Sequence, residues 1–219
     1  MARRALEAGA SIVNDVSGAT FDEKMLEIVA ATNAGIVLMH LRGTPQKMKA
    51  SEAVAFFPTL TLPASGEGTD PYRVSSTSED TLLRSVPSLL AGRVRVGKND
   101  IIEEILGFWR ARLEAARAAG IADERIVFDG GFGFGKSLQE NLEILRRGRE
   151  LSDFGFPILS GTSRKSSIGK LLDDAPIDER IFGTAATTAL AIAGGADIVR
   201  VHDVREMCDV ARVCDAICR

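Results

Sequence analysis

The stretch RIVFDGGFGFGKSLQENLEIL, Arg125 to Leu145, places an apolar run, an acid, a glycine-rich turn and a helical repeat in direct succession. Ile126, Val127 and Phe128 read as a buried strand, and Leu138, Leu142 and Leu145 recur at the spacing of one helix face. A strand that turns through glycines into a helix is the unit of an α/β protein. Gly130 to Ser137 also satisfies G-x-x-x-x-G-K-[ST], the pattern of a phosphate-cradling loop. In such a loop Lys136 would reach phosphates and Ser137 would ligand Mg²⁺. Ser137, however, stands three residues before Glu140 at the start of a helix, which is a capping box and already accounts for the serine. As a G-x-G-x-x-G dinucleotide fingerprint the run fails, because Lys136 sits where the third glycine belongs.

Outward from this unit, four more apolar runs follow the same rhythm: SIVNDV, GIVLMH, FPILSG and DIVRVHD. They lack strict alternation, as strands buried on both faces of a parallel sheet do. Helical patterns separate them. TFDEKMLEIVAATNAG is expected to open with a capping box from Thr20 to Glu23 and to end at Gly35. From Asn99, Ile102, Ile105, Trp109, Leu113 and Ala116 fall on one helix face, which stops at Gly120. Between Pro58 and Gly92, 18 of 35 residues are Ser, Thr, Pro or Gly, so residues 51–97 read as an inserted, partly disordered loop.

Composition narrows the classes. Net charge is −3 over 219 residues, so no global field favours nucleic acid or an anionic membrane, and no apolar run approaches a membrane span. Cys208, Cys214 and Cys218 all lie near the C-terminus and are expected to pack as small apolar groups in a reduced compartment. The cytoplasm is the expected location, with an organelle as the alternative.

Each strand ends in polar residues: Asn14 and Asp15, His40 and Arg42, Asp129, then Ser163, Arg164 and Lys165, then Arg200, His202 and Asp203. Singly, each has a structural reading as a cap, a solvated turn or a satisfied buried histidine. Parallel α/β sheets bind ligands outside the carboxyl ends of their strands, so five such endings together point to one composite site.

Taken together, GASIVNDVSG, IVLMHLRGTPQKM, IVFDGGFGFGKSLQENLEIL, PILSGTSRKSSIG and GTAATTALAIAGGADIVRVHDV resemble the dihydropteroate synthase family in order and over nearly the whole chain outside the insertion. The resemblance implies a pterin-binding domain over residues 1–219, built as a partial TIM-type (β/α)₈ barrel with about five of eight βα units. It implies condensation of 6-hydroxymethyl-7,8-dihydropterin pyrophosphate with p-aminobenzoate, releasing pyrophosphate, with Mg²⁺ as cofactor and a homodimer as the full-length state. The matched pterin-binding residues are Asn14, Met39, Asp129, Phe134, Gly161 and Lys165. Ser163, Arg200 and His202 match the pyrophosphate site, with Arg200 and His202 expected on one strand face. No metal ligand is matched, since the family's metal-binding asparagine belongs to N-terminal strands with no counterpart here. The chain therefore reads as the C-terminal two-thirds of the enzyme, weak or inactive alone and prone to association through open strand edges. Where the family has Asp-Pro-Gly, this chain has Asp129-Gly130-Gly131, which is expected to loosen the turn that aims Asp129. Other readings are a silent pterin-binding remnant, a pterin-barrel methyltransferase, and a P-loop ATPase.

Overall fold

A computed structural model describes residues 1–43 and 100–218, so the insertion expected at 51–97 lies outside the described residues. Five parallel strands form one sheet in sequential order: β1 (Ile12–Asp15), β2 (Gly35–Met39), β3 (Ile126–Asp129), β4 (Ile158–Ser160) and β5 (Ile198–Val199). Parallel neighbours in chain order require crossovers of one hand, which keeps the connecting helices on one face of the sheet and winds it as part of a barrel. Those helices are α1 (Ala2–Glu7), α2 (Met25–Ala30), α3 (Ile101–Ala118), α4 (Leu138–Arg146), α5 (Gly148–Ser152), α6 (Ser166–Leu171), α7 (Ile181–Ala193) and α8 (Val204–Cys218). Among the described residues no helix is long and apolar enough to cross a membrane.

The pleat sorts side chains between two faces. Ile36, Leu38, Ile126, Phe128 and Ile158 share the helix-side core with Ile102, Ile105, Trp109, Leu113 and Ala116 of α3. Their alternates, Val37, Met39, Val127, Asp129 and Leu159, fall on the opposite, inner face, where ladder register sets Met39 beside Asp129 and Asp129 beside Leu159. Asn14 and the edge residues Ile12 and Ile198 belong to the same face and are exposed.

The helical repeat read from Ile102 to Ala116 is the buried stripe of α3. Asp100 caps its first turn by accepting from Ile102 N–H, and Gly120 follows it at φ +87°. The Ser137–Glu140 box is likewise formed in both directions. Other expectations are corrected. α2 begins at Met25 with no side-chain cap, because Thr20 Oγ1 instead donates to Ser17 O at 2.8 Å in the preceding turn. It ends at Ala30, and Gly35 opens β2 rather than closing the helix. β5 stops at Val199, so Arg200 and His202 lie in the loop beyond the strand and take different directions. The cysteines are free but not core residues: Cys208 and Cys218 are exposed and Cys214 is half-buried.

At the centre of the core, Trp109 packs against Phe128 and Phe154 with ring centroids 5.1 and 5.5 Å apart, and is fully buried. Its indole N–H has no partner among the described residues. Trp109→Ala should therefore cost about 3–5 kcal/mol of stability through the cavity it leaves. Trp109→Phe should cost far less, because it also removes an unpaired buried donor. Urea denaturation of the two variants tests the order; equal losses would contradict it.

Candidate functional site

The carboxyl ends of the strands carry the polar residues singled out above, and the glycine loop after β3 organises them. Gly131 turns at φ +67°, where a Cβ would lie 1.8 Å from His40 O. Only glycine fits that turn. Against it, Lys136 is buried and donates to three carbonyls: Gly131 O at 2.8 Å, His40 O at 3.2 Å and Phe134 O at 3.3 Å. Three acceptors match the three N–H groups of one ammonium. That arrangement excludes the phosphate-cradle reading, since Lys136 turns inward onto the loop and Ser137 is an N-cap.

Asn141 completes the loop's hold. It is 1 % exposed, accepts from Gly133 N–H at 2.6 Å and donates to Ser137 O and Ser167 Oγ. The loop is thereby tied to the start of α6. Beside it, Arg42 pairs with Glu104 and Glu140, holding the end of β2 to α3 and α4. Neither Lys136 nor Asn141 was recognised from sequence as part of this scaffold. The available signal was a polar residue at position 141, within the apolar stripe of Leu138, Leu142 and Leu145.

Asp129, the last residue of β3, is 2 % exposed. Its Oδ1 accepts from Gly131 N–H at 2.7 Å, so the acid is aimed by its own loop although no proline stiffens the turn. Its Oδ2 accepts from Arg200 Nη2 at 3.0 Å, and Arg200 Nη1 donates to Asn14 Oδ1 at 2.7 Å. Asn14, Asp129 and Arg200, from β1, β3 and the loop after β5, are thus in direct contact. Gly161 makes this possible: a Cβ there would lie 2.6 Å from Arg200 Nη2.

After β4, Lys165 is buried, donates to Phe132 O at 3.0 Å and lies 3.7 Å from the centroid of the Phe134 ring. Burial lowers its pKa to about 8, with Asp129 pulling upward and Arg200 downward. Lys165, Asp129 and Arg200 are therefore within electrostatic reach of one another. Ser163 Oγ lies 2.8 Å from His202 Nδ1 and accepts from His202 N–H at 3.2 Å. Between Ser163 and Lys165, Arg164 holds a left-handed φ of +56°, fixed by its ion pair with Asp203 and by a bond from its N–H to Thr184 Oγ1. Met39 is fully buried on the inner face next to Asp129. The described residues thus bring all nine sequence-matched positions to one rim, as an Asn14–Arg200–Asp129 contact, a Lys165–Phe134 contact and a Ser163–His202 pair. The rim thus gathers a buried acid, an aromatic ring, two cations and an imidazole.

Comparison with known proteins decides the family. The model of the pterin binding enzyme family matches residues 1–56 and 87–202. The chain belongs to this family. Among its relatives, the dihydropteroate synthase of Synechocystis sp. is 40% identical over 219 residues, covering 100% of this chain and 61% of the relative. A dihydropteroate synthase structure from Clostridium difficile, obtained in the presence of pteroic acid, superposes with a TM-score of 0.72 at 36% identity, covering 99% of this chain and 63% of that one. One from Stenotrophomonas maltophilia, with active-site-bound imidazole, gives a TM-score of 0.73 at 32% identity, covering 98% and 64%. The chain therefore spans about three-fifths of the length of the relatives it matches.

Among the described residues, no group of three or more His, Cys, Asp or Glu side chains is placed to hold a metal ion.

Burial also sets a testable property of the scaffold. It pushes the Lys136 pKa down to about 7 from an ordinary 10.5. Between those values the unfolded chain binds a proton that the folded protein has released, so stability rises with pH across that window. Wild type should gain stability relative to Lys136→Met between pH 7 and pH 9.5. Parallel melting curves of the two proteins check this; a difference that stays constant with pH would overturn it.

Proposed function

We propose that this chain carries the pterin-binding and diphosphate-handling site of a dihydropteroate synthase. In that reading it condenses 6-hydroxymethyl-7,8-dihydropterin pyrophosphate with p-aminobenzoate. The observation that carries the reading is the convergence of a buried carboxylate, Asp129, with Lys165 and Arg200 at one rim. The named relatives support the same reaction.

The chemistry asks for two things. A flat heterocycle with adjacent N–H donors needs an acceptor-only group that can engage both, which a carboxylate supplies. Asn14, able to donate and accept, reads the neighbouring edge, with Met39 and Phe134 against the ring faces. Lys165 donates toward the pterin carbonyl and stands near the aminobenzoate. The C–O bond of the substrate then breaks with its electron pair leaving on pyrophosphate. Charge that develops on that anion is stabilised by donors at the rim, Arg200, His202 and Ser163. The aromatic amine attacks the pterin methylene cation, forms the C–N bond and loses a proton. The site's cations have no such role in a methyl transfer that releases no diphosphate, which favours the synthase over a pterin-barrel methyltransferase. Pairing through the exposed β1 and β5 edges, and dimer formation by the longer protein, belong to the same proposal.

Two measurements test it. Asp129→Asn should weaken pterin affinity more than tenfold, since the amide loses the charge and replaces one acceptor oxygen with an NH₂ that faces donors. An unchanged dissociation constant would remove Asp129 from the pocket. Turnover of this chain alone should be weak or nil and should rise when the N-terminal part of a relative is supplied; full activity from the chain alone would contradict that part of the proposal.

A further inference from the structure

Asp129 and Asn14 hold a guanidine group in this structure. Arg200 reaches them with its fork, Nη1 to Asn14 Oδ1 at 2.7 Å and Nη2 to Asp129 Oδ2 at 3.0 Å. The other carboxylate oxygen is committed to Gly131 N–H. A pterin carries the same group in cyclic form: its exocyclic amino group, the two ring nitrogens beside it (one of them N–H) and the carbon joining all three are a guanidine. Ring edge and arginine fork thus bring the same kind of paired N–H donors to Asp129, and each also reaches Asn14.

We infer that Arg200 is an intramolecular occupant of the pterin-reading groups, and that a diphosphate is what draws it away, so that the two halves of the substrate bind cooperatively. This inference rests on the pterin reading proposed above. A pterin arriving without an anion must displace a guanidinium from a buried carboxylate and offers it only water in exchange. A pterin arriving with diphosphate gives the displaced fork a partner of matching geometry. The side chain is free to make the exchange, because it is 40 % exposed and its backbone lies beyond the end of β5. Its acceptor is not free to follow, since Asp129 stays anchored to Gly131. Arg200 therefore acts as a check on substrate identity: pterins lacking the diphosphate bind against the resident guanidinium, and those carrying it do not.

Calorimetric titration of 6-hydroxymethyl-7,8-dihydropterin into the intact chain, with and without saturating inorganic pyrophosphate, tests the idea. Wild type should bind the pterin roughly tenfold more tightly with pyrophosphate present. Arg200→Ala should bind pterin alone about threefold or more tightly than wild type, because the competing occupant is gone. The pyrophosphate effect should vanish in that variant. Loss of a diphosphate ligand alone would not tighten pterin binding, so the first change separates the two explanations. Arg200→Lys keeps the charge without the fork and should also bind pterin alone more tightly than wild type. Weaker pterin binding by Arg200→Ala, a pyrophosphate effect that survives it, or Arg200→Lys indistinguishable from wild type would overturn the inference while leaving the pterin site standing. Absence of pterin binding by all three proteins would instead remove the site reading and this inference with it.

Discussion

Three carbonyl oxygens, from the end of β2 and from two places in the loop after β3, turn toward one buried ammonium. Without Lys136, His40 O, Gly131 O and Phe134 O would crowd together with no shared donor. With it, they become the walls of a rigid turn. The consequences run outward from that contact. The fixed turn presents Gly131 N–H to Asp129, which aims the carboxylate. It sets the Phe132 carbonyl to receive Lys165 and lays the Phe134 ring beside the same ammonium group. A buried charge surrounded by backbone dipoles thus positions a second charge, Lys165, one layer further out. The lowered pKa of both lysines is the electrostatic cost of that arrangement, imposed first by desolvation.

Much of this was legible in the sequence, for identifiable reasons. Strand runs in a parallel sheet are apolar throughout, so all five were visible. α3 displayed its buried stripe because helix periodicity over 18 residues is hard to mimic by chance. The polar strand ends announced a rim because the fold class itself places ligands there. What stayed hidden depends on contacts between distant residues. Thr20 and Glu23 have the spacing of a capping box, but Ser17 competes for the threonine hydroxyl and the helix starts later. Alternation along DIVRVHD suggested that Arg200 and His202 share a face, yet the strand ends before either. Lys136 matched a phosphate-binding pattern because that pattern records glycines and a lysine, not the direction of the ammonium.

The site also shows how one carboxylate serves two donors at once. Asp129 is buried deeply enough that an unpaired charge would be costly, and each of its oxygens has a donor. One donor is fixed backbone; the other is a mobile side chain. Ser163 and His202 form a separate pair at the same rim, held by the Arg164–Asp203 ion pair that pins their turn. The rim is therefore built on two scaffolds, one centred on the glycine loop and one on the turn after β4; in the proposed function the first would read the heterocycle and the second the anion, with Arg200 the side chain able to belong to either.

Gly130 separates the recognition acid from the anchored turn, and a side chain there would meet Leu151, Ile144 and Ile105 only at ordinary van der Waals distances. Nothing covalent stiffens this joint, so the order of the rim is borrowed from side chains: Gly131 and Gly133 give their amide protons to Asp129 and Asn141 rather than to a neighbouring strand. Protons held that way are released by local opening, without disturbing the sheet ladder. The rim is thus ordered by its own side chains rather than by the sheet ladder, so an occupant of Asp129 would bear on the order of the turn as well as on the acid.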